Sequence, residues 1–113
     1  VKVKDSYNCD VLSLSAATAA ISDQEYLAEV KAKILRTRER LFESLVQMGF
    51  RTIPSHANFV WCESKTIPNK TIYEKLKERK ILVRYMKYPN FGDGLRITVG
   101  NDTEIDRLLQ EMK

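Results

Sequence analysis

The sequence predicts a two-layer α+β fold in which a small, mostly antiparallel sheet is covered by helices. Apolar residues recur at helical spacing in some segments, and β-branched and aromatic residues form short runs in others. Together these patterns predict the order helix, helix, strand, strand, helix, strand, strand, helix. A length of 113 residues, with 43% hydrophobic and 30% charged residues, is typical of a single globular domain.

Two helices are predicted before the first strand. Residues 11–21 form a short helix rich in alanine and serine, which Asp10 can cap. Ser22–Asp23 then caps a long helix from about 24 to 48, and Gly49 fits the left-handed residue that ends it. Because small side chains allow close approach, we expect the first helix to pack against a surface outside this chain and otherwise to leave an apolar patch exposed.

The remaining elements alternate with clear turn signals. The predicted strands are residues 50–53, 56–62, 81–85 and 95–99. A helix over 71–80 separates the second strand from the third, and residues 87–94 form a loop rich in glycine and proline. The segment Asn101–Glu104 resembles a capping box and opens the last helix.

The net charge of +4 comes from basic residues that are interleaved with acids along the helices. This pattern indicates a solvated helix face, and no nucleic-acid-binding motif is visible. A basic nucleic-acid-binding domain nevertheless remains one alternative. No run is long enough to span a bilayer, and there is no secretory signal, so we expect a cytoplasmic protein.

Cys9 and Cys62 are far apart and form no CxxC motif. With His56 as the single histidine, the set is poor for a metal site and fits buried free thiols better. His56 also has no serine, cysteine or acid at a spacing that indicates catalysis.

Arg96 is the strongest candidate for function. It lies in the strand-like segment Gly94–Gly100, where alternation places Leu95, Ile97 and Val99 on one face and Arg96 with Thr98 on the other. Its planar guanidinium fits a carboxylate or a phosphate. The alternative is an ordinary surface arginine on the polar face of a strand.

Arg84 lies in the preceding strand-like run, 81–85. A β-hairpin would place both arginines at one end of the sheet, near the loop that connects the two strands, so the two side chains could converge on one anion. Weaker candidates for a supporting role are Asn58, which is unusual inside a strand, and the Tyr7–Asn8 pair, which could line a cleft.

The motifs of several reaction classes are missing. There is no GxSxG, HExxH, P-loop or dinucleotide-binding glycine pattern, and no lysine stands in a pattern that indicates a Schiff base. The residues therefore indicate an anion-binding site without the groups that would perform a reaction.

The chain resembles the C-terminal part of histidinol-phosphate aminotransferases, which are fold-type I pyridoxal-phosphate enzymes of histidine biosynthesis. The resemblance covers nearly the whole chain and rests on five segments in the family's order, of which 94–100 is the most specific: Lys4–Asn8, the alanine-rich helix, Ala57–Val60, Ile81–Arg84 and Gly94–Gly100.

The resemblance implies roles for the two arginines. The family arginine that matches Arg96 holds the α-carboxylate of the amino-acid partner or the substrate phosphate in its place, and the one that matches Arg84 assists with the phosphate. Asn58 matches a family asparagine to which we assign no role. Residues 1–10 correspond to the crossover from a large domain, and residues 11–113 correspond to the small domain.

The resemblance also implies what this chain lacks. The family's Schiff-base lysine and pyridoxal-phosphate site belong to the large domain, upstream of Val1, so we expect no catalytic residue here and no transamination by the chain alone. A homodimer is implied for the parent enzyme. The alternative function from another class is a free-standing regulatory domain that binds a small anion or an amino acid.

Overall fold

The computed structural model describes residues 9–90 and 92–113. These residues fall into two compact units, one that ends at Ala32 and one over 33–113. Helix α1 (Val11–Ser22) lies in the first unit, and the long helix α2 (Gln24–Gln47) begins there and continues into the second.

Helix α1 has a well-formed N-terminus and exposed side chains. The Asp10 carboxylate accepts hydrogen bonds from the Ser13 backbone N–H at 2.9 Å and from its hydroxyl at 2.6 Å, which lowers the pKa of Asp10. No α1 residue is buried, and the large apolar side chains Val11 and Leu12 are more than three-quarters exposed. The expected exposed apolar patch is therefore present.

The second unit contains a four-stranded antiparallel sheet with the strand order β1-β2-β4-β3. Two further helices complete the unit, and the predicted order of helices and strands is confirmed. The elements are β1 (Arg51–Ile53), β2 (Phe59–Glu63), α3 (Asn69–Glu78), β3 (Arg84–Tyr88), β4 (Gly92–Thr98) and α4 (Asp102–Glu111).

One face of the sheet forms the hydrophobic core. Alternating residues of β2 and β4 turn inward and meet apolar side chains of α2, α3 and α4 in a single cluster. Its buried members are Leu41, Leu45, Val60, Cys62, Leu76, Leu95, Ile97, Ile105 and Leu108. Each fully buried aliphatic side chain contributes about 1.5–3 kcal/mol to stability. The prediction that helices cover one face of the sheet is confirmed.

Polar contacts join α2 to the start of α4. The Thr37 hydroxyl donates to Asp102 Oδ1 at 3.0 Å, and Arg40 pairs with both Asp102 and Asp106. These contacts raise the pKa of Arg40 and lower that of Asp102, for which the Thr37 hydrogen bond is the largest cause. The predicted capping box forms between Asn101 and Glu104.

The third strand differs from its predicted position. The apolar run 81–83 is not a strand, because the Ile81 N–H donates to Leu76 O and closes the end of α3 through Lys80, whose φ is 60°. Strand β3 therefore begins at Arg84 and continues to Tyr88. Most of the predicted loop 87–94 is paired strand.

The second strand also begins later than predicted. It starts at Phe59 rather than at His56, which lies in an exposed bend. Within the ranges 9–90 and 92–113, no helix is long and apolar enough to cross a membrane.

Candidate anion-binding site

Arg84 and Arg96 lie directly opposite each other on neighbouring strands. The β3–β4 register pairs Arg84 with Arg96, and the β2–β4 register pairs Arg96 with Trp61. All three side chains belong to the sheet face opposite the core, which we call the arginine face and define by Phe59, Trp61, Arg84 and Arg96. The β3–β4 register thus places the two arginines opposite each other on one face, and their convergence on one anion stays a prediction.

The hairpin that joins β3 to β4 sets this register. Tyr88 pairs with Gly92 across a short turn in which Asn90 and Gly92 adopt positive φ values of 67° and 91°. Such values are tolerated by asparagine and glycine, so these residue types allow the tight turn. Arg84 and Arg96 are the pair of this hairpin farthest from the turn, so the expectation that they lie near the connecting loop is wrong.

Neither arginine is neutralised by the described part of the chain. Arg84 is exposed and Arg96 is half-buried, and neither makes a hydrogen bond or an ion pair with any described residue. Like charges directly opposite each other on a sheet are destabilising. The pair therefore offers two guanidinium groups to an anion from outside.

Aromatic side chains surround Arg96. Its guanidinium carbon lies 4.9 Å from the centroid of the Phe59 ring, which is a cation–π contact. Its Nε atom is buried and has no hydrogen-bond acceptor within residues 9–90 and 92–113. The guanidinium is thus held against an aromatic ring rather than by a carboxylate.

Trp61 lies opposite Arg96 on the arginine face. Its ring lies over Gly94, where a Cβ atom would come within 2.7 Å of Trp61 Cε2. Its Nε1 donates to Glu63 Oε1 at 2.9 Å, and Glu63 Oε2 accepts from Arg51 at 3.3 Å. The Tyr88 ring centroid lies 6.1 Å from that of Trp61. The fit of its ring over Gly94 seats the tryptophan beside Arg96.

Phe59 and Trp61 were not predicted as site residues. The available signal was their alternation in Phe59–Glu63, which places two aromatic rings on one strand face, together with a glycine in the neighbouring strand. That signal identifies the two rings as neighbours of Arg96 only when the β2–β4 register is known, and this register joins segments far apart in sequence.

The weaker candidates are not brought into this constellation. Asn58 lies just before β2, and its backbone oxygen accepts from the Val99 N–H at 2.9 Å. Its side chain is exposed and makes no hydrogen bond with any described residue. Tyr7 and Asn8 lie outside the described residues.

Groups that could perform a reaction are not gathered at this face. In the described part of the chain no cluster of three or more metal-ligating side chains occurs, and every lysine there is exposed. Burial in the core raises the pKa of Cys62 to about 12, so this thiol is not a nucleophile at neutral pH. The arrangement is suited to binding an anion.

The fold and the paired arginines place the chain among two-layer α+β domains with a cationic sheet face. The family model for class I and II aminotransferases matches residues 1–112, and the chain belongs to that family. The family predicted from the sequence motifs is therefore confirmed.

The chain is similar to part of several curated proteins named histidinol-phosphate aminotransferase. It is 53% identical over 105 residues to the protein of Rhodopirellula baltica, covering 93% of this chain and 29% of that one. It is 44% identical over 112 residues to the protein of Microcystis aeruginosa, covering 99% and 32%. The chain thus spans about a third of the length of these relatives.

Solved structures show the same fold. The histidinol-phosphate aminotransferase of Clostridium acetobutylicum matches with a TM-score of 0.84 and 25% identity, covering 99% of this chain and 35% of that one. The Sinorhizobium meliloti enzyme, solved in complex with pyridoxal-5′-phosphate, matches with a TM-score of 0.79 and 25% identity, covering 98% and 31%.

Proposed function

We propose that this chain is the substrate-clamping small domain of a pyridoxal-phosphate-dependent histidinol-phosphate aminotransferase. In this proposal residues 1–10 are the crossover from the large domain and residues 11–113 are the small domain. The observation that supports it most directly is the opposition of Arg84 and Arg96, two cations without a neutralising partner in the described part of the chain.

The proposed task is to hold the anionic group of each substrate in turn. A guanidinium group can bind either a carboxylate or a phosphate through two parallel hydrogen bonds. One site can therefore receive the α-carboxylate of glutamate or 2-oxoglutarate and then the phosphate of histidinol phosphate. Arg96 lies on a central strand and is the main contact, while Arg84 lies on an edge strand and adds charge for the phosphate.

The described residues do not fit the cofactor itself. A lysine that binds pyridoxal phosphate needs a desolvated amine, and each described lysine is exposed. When bound to the parent enzyme, pyridoxal phosphate acts as an electron sink for the reacting amino acid. We therefore place no catalytic residue in this chain and assign the cofactor to the large domain of a cytoplasmic, homodimeric parent.

Domain closure gives the arginine face its role in this proposal. When the small domain closes over bound substrate, Arg84 and Arg96 would be brought to the anion and water would be excluded, which strengthens each charge–charge contact. The isolated chain is then expected to bind anions weakly and to catalyse no transamination.

The test is substitution in the full-length parent enzyme. Arg96→Ala is expected to lower kcat/KM for both glutamate and histidinol phosphate by about 30-fold or more, because truncating one partner of a buried charge pair costs about 2–5 kcal/mol. Arg84→Ala is expected to affect histidinol phosphate more than glutamate. Arg51→Ala is the matched control, since Arg51 lies on the same sheet but pairs with Glu63.

Unchanged kinetics in Arg96→Ala would contradict the proposal. Calorimetry with this chain alone separates the alternative, a free-standing sensor of small anions or amino acids. Tight binding of glutamate or inorganic phosphate by the isolated chain, combined with unchanged enzyme kinetics, would favour the sensor.

A further inference from the structure

Phe59 and Arg96 are held in a fixed relation by the sheet. Phe59 pairs with Thr98, two residues beyond Arg96 on β4, so its ring reaches the guanidinium diagonally across the arginine face. The guanidinium carbon lies 4.9 Å from the ring centroid, and both side chains are half-buried. The β2–β4 ladder continues past this point through the hydrogen bond from Val99 N–H to Asn58 O at 2.9 Å.

The N–H donors of Arg96 differ in their burial. Nε is buried and lacks an acceptor in the described part of the chain, whereas neither terminal nitrogen is buried without a partner. Since Arg96 makes no hydrogen bond with a described residue, its two Nη atoms remain available at the end of the side chain.

We propose that Phe59 is a positioning residue for Arg96. Its ring fixes the plane of the guanidinium, so that the two Nη atoms rather than Nε face the bound anion. This geometry suits an end-on, two-oxygen contact with a carboxylate or a phosphate. The inference rests on the anion site of the proposed function and adds the residue that orients it.

The experiment measures the binding of inorganic phosphate to the full-length enzyme that contains this chain. Phe59→Leu and Phe59→Met both keep an apolar side chain and remove the π face. Each is expected to raise the dissociation constant for phosphate about 2- to 30-fold, the range for a cation–π contact between exposed and desolvated sites. Phe59→Tyr retains the ring and is expected to restore affinity to within about two-fold of the original.

Two controls separate positioning from general damage. Tyr88→Leu removes a different aromatic ring from the same sheet face, next to Trp61 rather than Arg96. It is expected to leave phosphate affinity unchanged. Substrate kinetics give a second readout, since Phe59→Leu should raise KM for the anionic substrates more than it lowers kcat. A purely structural role would instead lower the amount of folded enzyme and leave KM unaltered.

Arg96→Met distinguishes the anion site itself from the positioning role of Phe59. If Arg96→Met weakens phosphate binding while Phe59→Leu and Phe59→Met do not, the positioning role of Phe59 is overturned and the anion site stands. If Arg96→Met also leaves phosphate binding unchanged, both the anion site and the role of Phe59 are overturned. Equal weakening by Tyr88→Leu would likewise overturn a specific role for Phe59.

Discussion

Arg84 and Arg96 face each other across the β3–β4 ladder as a like-charged pair, with no compensating acid in contact in the described part of the chain. Opposed like charges on a sheet oppose folding, and an anion between them removes that opposition. The arginine pair therefore destabilises the fold at the position where we propose that the substrate binds.

Removing one charge of this pair should stabilise the chain in the absence of anions. Arg84→Gln is expected to raise the free energy of unfolding by about 0.2–1 kcal/mol at low ionic strength. Urea unfolding measures the change, which should shrink at high salt because Arg84 is exposed. Arg79→Gln, which breaks the ion pair with Glu111, is the control and should not stabilise. A loss of stability in Arg84→Gln would contradict the prediction.

Gly94 should not tolerate a side chain. A Cβ atom at this position would lie 2.7 Å from Trp61 Cε2 and 2.9 Å from the backbone oxygen of Cys62. Since the strand backbone cannot move freely, Gly94→Ala is expected to cost about 1–3 kcal/mol, the usual range for overpacking. Thermal unfolding measures the cost.

The double variant Trp61→Ala/Gly94→Ala tests the cause of this cost. Removing the indole eliminates part of the overlap, so the alanine should cost less in the Trp61→Ala background than in the original chain. An equal cost in both backgrounds would show that the close contact with the tryptophan is not the reason.

Acid should weaken the contact between α2 and α4. The hydrogen bond from Thr37 lowers the pKa of Asp102, with Arg40 as the second cause. A carboxyl group with a lowered pKa in the folded state adds stability that is fully present above its ordinary value of about 3.9. That stability is lost as the pH falls through the lower, folded-state pKa.

Thr37→Val removes the largest cause of this pKa shift. The variant is expected to be less stable at neutral pH and to lose less stability between pH 5 and pH 2 than the original chain. Urea midpoints across this range measure both effects, and Thr103→Val, at an exposed position next to Asp102, is the control. Parallel pH profiles for Thr37→Val and the original chain would refute the role given to this hydrogen bond.

The two thiols should differ in reactivity. Cys9 is exposed, whereas Cys62 is fully buried and burial raises the pKa of its thiol to about 12. At pH 8 we expect a disulfide reagent to modify Cys9 quickly and Cys62 only as the chain unfolds. Cys9→Ser should abolish the fast phase. A fast reaction in that variant would show that Cys62 is accessible.

Local sequence patterns predicted much of the fold. Helical periodicity identified α2, α3 and α4, whereas α1 was identified by its small residues and the Asp10 cap. The Asn101–Glu104 box located the start of α4 within a residue. Strand alternation also placed Leu95 and Ile97 in the core and Arg96 on the other face, as observed. These features depend on neighbours a few residues apart, which the sequence shows directly.

The incorrect boundaries have causes that residue composition does not show. The run 81–83 has the composition of a strand, but Ile81 is used to close α3 and Leu82 is 80% exposed. Gly92 and Gly94 suggested a loop, yet one permits a positive φ at the turn and the other makes room for Trp61 within a paired strand. The contact between Phe59 and Arg96 was missed for a different reason, because it forms only when β2 and β4, which are far apart in sequence, are aligned.

The strand order gives positions 84 and 96 different freedom to vary in evolution. β4 is hydrogen-bonded on both sides, by β2 and β3, whereas β3 is an edge strand of the described sheet. A replacement at position 96 would change a side chain on a strand that is hydrogen-bonded on both sides. A replacement at position 84 alters one side chain at the start of an edge strand. Under the proposed function, a lineage could therefore exchange one anionic substrate for another by single substitutions at position 84 while Arg96 stays the same.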